Sequence, residues 1–132
     1  MRVIRNRPPD YEKKPLFPYK RRTMKIQCFP LYSILAAMGN PKVDYFSLDV
    51  EGAEFSLVPA LQPWLKVQKP AFYLSTHVPF LNESEKSAAT QSLADSLAFY
   101  KNCTLDGVDH DVSEALLSKR VSEQFPSILF EP

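Results

Sequence analysis

The sequence predicts an α/β fold with a mostly parallel sheet, and three observations lead to that prediction. Apolar stretches of strand length alternate with stretches whose apolar residues recur every three to four positions, the order typical of strands alternating with helices. The chain has 132 residues, of which 45% are apolar and 23% charged, which suits one modest core. No apolar run approaches the roughly 18 residues of a membrane span. We therefore expect one domain over residues 25–132, preceded by a tail over residues 1–24.

The first half of the predicted domain carries the clearest patterns. Ile26–Phe29 is a candidate strand with Cys28 as a small buried side chain, and Gly39–Pro41 is a helix stop because a left-handed residue precedes a proline. Val43–Val50 is apolar on both faces and is predicted to be a central parallel strand. Between the two strands, a short helix is indicated by apolar residues at helical spacing: Leu31, Ile34, Leu35 and Met38.

The second half continues the alternation of helices and strands. A helix after Ala53 is expected in two pieces, because Pro59 and Pro63 each remove a backbone donor. A strand is predicted over Pro70–His77, and the longest helix over about residues 84–100, capped by Asn82 or Ser84. The remaining predictions are a short strand with a turn, a helix and a last strand, over Cys103–Gly107, Val112–Val121 and Ser127–Phe130.

Charge is distributed unevenly. Residues 1–25 contain nine Lys and Arg against two acidic residues, and the rest contains seven basic and thirteen acidic residues. A solvated, proline-rich arm beside an acidic body is the favoured interpretation. Nucleic-acid binding by the arm is the alternative, since Tyr11, Phe17 and Tyr19 lie between the charges, but no recognition motif accompanies them.

Cysteine and glycine counts exclude several classes of protein. Cys28 and Cys103 are the two cysteines, too few for a disulfide scaffold or a multi-cysteine zinc site. Gly39, Gly52 and Gly107 are the three glycines, so no glycine-rich nucleotide loop is present in the sequence. No apolar stretch follows the charged start, so we expect no secretory signal, a reducing compartment and a cytoplasmic location.

Polar side chains gather where two predicted strands end. Asp49 follows one strand and His77 ends the next, and ligands bind at the carboxyl ends of strands in such sheets. Asp49 is a candidate proton acceptor or metal ligand, or simply a cap of the following helix. His77 is a candidate general base or, with Asp49, a ligand, or else a hydrogen-bonded structural residue. His110 lies between two aspartates, where adjacent residues do not converge on one ion, so we expect a surface loop and assign no metal site.

The segment Val43–Glu54 (VDYFSLDVEGAE) closely resembles the DFLKIDVEGAE segment of the FkbM-type S-adenosylmethionine-dependent methyltransferases. The preceding Cys28–Leu35 is similar to the strand and helix upstream of that segment, especially in the Star-like animal proteins that share the domain. The resemblance covers about residues 25–60. It implies a partial, Rossmann-like class I methyltransferase sheet, in which these strands are the third, fourth, fifth and last two.

The resemblance also implies an activity and its residues. The reaction is methyl transfer from S-adenosylmethionine, most simply to an oxygen of a small metabolite or glycan, with Asp49 and His77 as catalytic residues. Glu51, Gly52 and Glu54 are the implied cofactor-binding residues. The physical alternatives are that both glutamates stabilise the first turn of a helix through its dipole and that Gly52 serves the turn.

The family's first two strands, with its glycine-rich turn, lie upstream of the matched segment and are missing from this sequence. We therefore expect a truncated domain in which Val43–Val50 lacks a neighbour. Either Ile26–Phe29 pairs with it directly, or an open apolar edge favours self-association. The alternative function is a non-catalytic interaction domain on the same scaffold.

Overall fold

The computed structural model describes residues 25–132. The chain divides after Pro41 into two compact units, so the single domain predicted from residue 25 spans parts of both. The predicted basic tail, residues 1–24, lies outside the described residues. No helix within residues 25–132 is both long and apolar enough to cross a bilayer.

The described part of the first unit contains one helix, α1 (Leu31–Ala37). The predicted stop is confirmed, since Gly39 has a φ of +80° and the N–H of Asn40 donates to the carbonyl of Leu35. The predicted strand Ile26–Phe29 is wrong. These residues are exposed and form no ladder, and Cys28 is exposed rather than buried. A strand needs a partner for its backbone groups, and this segment has none among the described residues.

The second unit, residues 42–132, alternates strands with helices as predicted. In chain order its elements are β1 (Tyr45–Leu48), α2 (Glu54–Gln68), β2 (Ala71–Ser75), a 3₁₀ turn (Val78–Phe80), α3 (Glu83–Leu97), β3 (Asn102–Leu105), β4 (Val108–Asp111), α4 (Val112–Leu116), α5 (Lys119–Glu123) and β5 (Ser127–Phe130). α3, which was predicted to be the longest helix, has 15 residues, as many as α2, and begins after Asn82, one of its two predicted caps.

The five strands form one open sheet in the order β1-β2-β5-β3-β4. Only β1 and β2 pair in parallel, and the other three pairings are antiparallel. The prediction of a mostly parallel sheet is therefore wrong. The cause is the short connection Gln124–Pro126, because it joins α5 to the point where β2 ends. β5 starts beside the last residue of β2 and therefore runs antiparallel to it.

The predicted central strand is shorter than expected and lies at the edge of this sheet. β1 pairs only with β2 among the described strands, and Tyr45 is 58% exposed. Leu48 is the one buried residue of β1. The predicted pairing of Ile26–Phe29 with this strand is not formed within the described residues. The apolar sequence of β1 therefore faces a core on one side only.

α2 is one continuous helix, not the two pieces expected from its prolines. Pro59 and Pro63 are four residues apart and therefore lie on the same face, neither of them buried. The carbonyls that lose a donor are thus on one side of the helix. The opposite face carries the buried residues Val58, Trp64 and Leu65, whose packing holds the helix together.

The remaining differences lie between α3 and β5. Residues 108–111, expected as a loop around His110, form β4, because the Asp106–Gly107 turn folds this segment back onto β3. Both turn residues have positive φ, the geometry of a two-residue hairpin. The helix predicted over Val112–Val121 is divided into α4 and α5, since Ser118 begins a new helix by accepting from the N–H of Val121.

The core is built on aromatic rings that stack across the sheet. Phe72 of β2 stacks on Phe46 at 5.6 Å and on Phe130 of β5 at 5.8 Å between ring centroids. Tyr100 closes the layer, and its hydroxyl donates to the carbonyl of Pro70 at 2.7 Å. Burial raises the pKa of Tyr100 to about 12.

We predict that Tyr100→Phe lowers the free energy of unfolding by about 1–2 kcal/mol at neutral pH, because the buried carbonyl of Pro70 loses its donor. Tyr73→Phe is the matched control, since Tyr73 lies on β2 but is 37% exposed. Urea unfolding monitored by circular dichroism measures both. Equal losses in the two variants would contradict the structural role of the Tyr100 hydroxyl.

The raised pKa of the Tyr100 hydroxyl predicts that the free energy of unfolding falls at alkaline pH. Its pKa is about 12 in the folded chain and about 10 when unfolded, so the raised value favours folding below pH 10. This contribution is lost as pH rises from about 10 to about 12. Tyr100→Phe should lose less stability than the parent over that interval, as measured by urea midpoints at successive pH values. Parallel curves would show that the hydroxyl titrates alike in both states.

Candidate active site

The candidate site lies at one end of the strands, where β1 and β2 end and β5 begins. Asp49 follows β1, and His77 follows β2 after one intervening residue. The parallel register of the two strands brings these positions side by side: Oδ1 of Asp49 lies 3.6 Å from Nε2 of His77. The polar ends of the two strands, predicted from sequence to share an edge, are therefore adjacent.

Glu54 holds this edge together from inside. Its side chain is fully buried at the start of α2. Oε2 accepts from the N–H of Gly52 at 2.8 Å, and Oε1 accepts from the N–H of His77 at 2.7 Å. The positive end of the α2 dipole also favours a negative charge there. One carboxylate thus joins the turn after β1 to the end of β2.

The same carboxylate orients the imidazole ring. Nδ1 of His77 lies 3.2 Å from Oε1 of Glu54. A carboxylate only accepts hydrogen bonds, so this contact requires the hydrogen on Nδ1 and leaves Nε2 with its lone pair when the ring is neutral. Nε2 faces Asp49, whose side chain is 65% exposed, while that of His77 is 12% exposed. Nδ1 thus faces the buried Glu54 carboxylate, and Nε2 faces the exposed Asp49 carboxylate.

The turn between β1 and α2 makes the burial of Glu54 possible. Glu51 and Gly52 have φ values of 48° and 105°, both in the left-handed region. This reversal points the N–H of Gly52 back toward the Glu54 carboxylate. Glycine adopts such a φ without steric cost, whereas the same region is disfavoured for Glu51. Glu51 itself is exposed and makes no side-chain hydrogen bond among the described residues.

Hydrogen bonds of Thr76 and Ser75 fix the start of β5 against the end of β2. Thr76 is fully buried, and both its N–H and its hydroxyl donate to the carbonyl of Pro126, at 3.0 and 3.1 Å. The hydroxyls of Ser75 and Ser127 are hydrogen-bonded at 3.0 Å. The backbone immediately before His77 is therefore anchored, which helps to fix the position of the imidazole.

Two phenylalanines that sequence reasoning missed lie against His77. Phe80 stacks on the imidazole at 5.5 Å, Phe125 lies 5.9 Å from it, and the two phenyl rings are 5.1 Å apart. Phe80 follows His77 closely in sequence, but Phe125 is brought in only by the antiparallel pairing of β5 with β2. No local pattern marks that pairing.

The other candidate positions lie elsewhere. His110 lies on β4, the edge strand farthest from β1, and its ring is 3.9 Å from the Glu114 carboxylate. Within residues 25–132 no three His, Cys, Asp or Glu side chains converge as a metal site. A shallow groove of about 540 Å³ between α2 and α3 is lined by Gln62, Gln91 and Asp95 among others. Neither Asp49 nor His77 lines this groove.

Of the five candidate residues, the structure brings Asp49, Glu54 and His77 into contact and leaves Glu51 at the surface. Gly52 contributes its backbone N–H to Glu54. The sequence contained the signal for Glu54, a carboxylate at the first position of a helix after a glycine turn, but not its burial. Comparison of the chain with known protein families, curated proteins and solved structures finds no match.

We predict that Glu54→Ala lowers the free energy of unfolding by about 3 kcal/mol, since two backbone N–H groups and Nδ1 of His77 lose their acceptor. Glu51→Ala is the control, because Glu51 is exposed in the same turn and its removal should cost within about 0.5 kcal/mol. Chemical denaturation measures both. A small, equal effect of the two substitutions would remove Glu54 from the role given to it here.

Proposed function

We propose that residues 42–132 form the acceptor side of an S-adenosylmethionine-dependent methyltransferase, in which His77 takes the proton from an acceptor hydroxyl. The observation that carries the proposal is the orientation of His77. Nδ1 is held by the fully buried Glu54, and Nε2 faces the exposed Asp49 at 3.6 Å. A buried carboxylate behind a histidine is the usual way to prepare an imidazole as a general base.

Each residue has a distinct part in this proposal. His77 is the base, because its Nε2 has a free lone pair at the edge of the sheet. Glu54 is a positioning residue, since both its oxygens are occupied by internal donors. Asp49, 3.6 Å from Nε2, stabilises the imidazolium that forms when the proton is accepted. The acceptor oxygen gains nucleophilic character as its proton leaves, which is the chemistry that alkyl transfer requires.

The described residues do not form a cradle for S-adenosylmethionine. Their glycines lie in three separate turns, and a Cβ at any of them would meet nothing within 4 Å, so none marks a close approach of the backbone to a ligand. The backbone donors nearest the site, those of Gly52 and His77, are already bonded to Glu54. Glu51 and Asp49 are exposed carboxylates that suit ribose hydroxyls, but they do not make a complete site. Residues 42–132 therefore account for the acceptor and the proton, and the proposal requires that the full chain bind the donor.

The topology also supports the proposal. The resemblance equates β1 and β2 with the fourth and fifth strands of a class I methyltransferase sheet, and these two strands do run parallel to each other here. A shared topology is an analogy about fold, so the chemistry rests on the site and not on the sheet.

A non-catalytic binding role is the second candidate. It is favoured by the incomplete donor site of residues 25–132 and by the unpaired outer side of β1, where Tyr45 is exposed. An open strand edge is a common place for a second chain to add a strand. In this role the Glu54–His77 contact is purely structural. The two candidates differ in whether Nε2 of His77 must be free to accept a proton.

We predict that His77→Gln lowers methyl transfer from labelled S-adenosylmethionine to hydroxyl acceptors by about 100-fold or more, because the base is lost. The measurement is label transfer by the full chain to a phenol and to a methyl glycoside, which differ in acceptor class. His110→Gln is the matched control, since His110 lies at the opposite edge of the sheet and its removal should leave the rate unchanged.

Two results would contradict the methyltransferase proposal. The first is a His77→Gln variant that transfers methyl groups as fast as the parent. The second is a parent chain that neither transfers label nor binds S-adenosylmethionine by calorimetry. The second result supports the binding role, which predicts association through the β1 edge without turnover.

A further inference from the structure

An exposed aromatic surface adjoins the candidate base. Phe80 and Phe125 are 44% and 54% exposed, although both rings pack against His77. Burying a phenylalanine side chain is worth about 1.5–3 kcal/mol, so leaving two of them open forfeits stability. Exposed apolar rings beside a few polar groups are the usual composition of a ligand site.

The rings are held in place from both sides. The N–H of Phe80 donates to the carbonyl of His77 at 3.0 Å, within the 3₁₀ turn that Val78 anchors in the core. Phe125 follows α5, whose Val121 is buried, and precedes Pro126, whose carbonyl accepts twice from Thr76. The surface is therefore formed before any ligand arrives, which reduces the entropy lost on binding.

A bidentate contact ties α5 to the turn between β3 and β4. Nη2 of Arg120 donates to the Asp106 carboxylate at 3.0 Å, and Nε donates to its other oxygen. The guanidinium hydrogen bond lowers the pKa of Asp106, so the pair stays charged at neutral pH. Because α5 leads directly to Phe125, this bidentate contact restricts where that ring can move.

The polar groups near the rings limit what the ligand can be. The N–H groups of Gly52 and His77 are bonded to Glu54, and the N–H and hydroxyl of Thr76 are bonded to Pro126. The groups left are Nε2 of His77, which lies 3.6 Å from Asp49, and the exposed carboxylates of Asp49 and Glu51. The phenyl rings themselves offer only apolar surface, which a planar apolar molecule with one hydroxyl covers and a sugar with hydroxyls on every side does not.

We propose that Phe80 and Phe125 form the acceptor-binding surface, and that the acceptor is a planar, apolar molecule with one hydroxyl, such as a phenol. Its ring packs against the two phenyl rings, which are inclined at 55° to each other, and its hydroxyl donates to Nε2 of His77. This inference rests on the proposed function in one respect: the bound molecule is a methyl acceptor only if the chain is a methyltransferase. The binding itself needs no methyl donor, so it can be measured separately.

The test is binding of 2-naphthol to the full chain, followed by protein NMR. We expect shifts centred on His77, Phe80 and Phe125, and affinity at least several-fold higher than that of 2-methylnaphthalene, which lacks the hydroxyl. Combined Phe80→Leu and Phe125→Leu substitutions should weaken naphthol binding about tenfold or more, since stacking on two rings is lost. Leucine preserves the apolar volume, so folding is retained.

The controls separate stacking from non-specific apolar binding. Phe99→Leu should leave naphthol binding unchanged, because Phe99 packs on Tyr100, near Pro70 at the opposite end of β2. His77→Gln should abolish the preference for naphthol over methylnaphthalene while keeping the stacking. Shifts centred elsewhere, binding that survives the double substitution, or a methyl glycoside that binds these residues more tightly than naphthol would each overturn the inference.

The failure of this inference and that of the proposed function are distinguishable. Methyl transfer to a glycoside that depends on His77, without naphthol binding, would leave the function standing and remove the aromatic acceptor. Naphthol binding that depends on Phe80 and Phe125, without any methyl transfer, would leave the binding surface standing and remove the methyltransferase.

Discussion

The buried carboxylate of Glu54 is the interaction on which the site depends. It accepts from the backbone of the turn after β1 and from both the backbone and the ring of the residue that follows β2. A charged group without exposure is costly unless its oxygens are satisfied, and here each oxygen has a donor and a helix N-terminus lies beside it. Removing it would release two strand ends and the imidazole together.

The mixed sheet determines what surrounds that carboxylate. Had β5 run parallel to β2, its first residues would lie beside the start of β2, and Phe125 would be far from His77. The antiparallel return brings Pro126 to Thr76 and Phe125 to the imidazole. The departure from a mostly parallel sheet is thus what places apolar rings beside the base, so topology and the character of the site are linked.

The order of elements followed from local patterns. The stop at Gly39–Pro41, a strand within Pro70–His77 (observed as Ala71–Ser75) and a cap at Asn82 or Ser84 (observed at Asn82) were predicted because glycine, proline and capping side chains act over a few residues. The errors arose where distant contacts decide. Ile26–Phe29 has strand composition but no partner among the described residues, and α2 stays continuous because its buried face outweighs two prolines.

For the candidate site, the sequence by itself determined that Asp49 and His77 end consecutive strands, and parallel pairing of these strands brings the two residues together. The tertiary structure alone decided that Glu54 is buried and turned toward His77, and that two phenylalanines 45 residues apart in the sequence meet on one imidazole. The reason is physical: strand ends are set by local patterns, whereas burial and side-chain contact depend on which elements fold against one another.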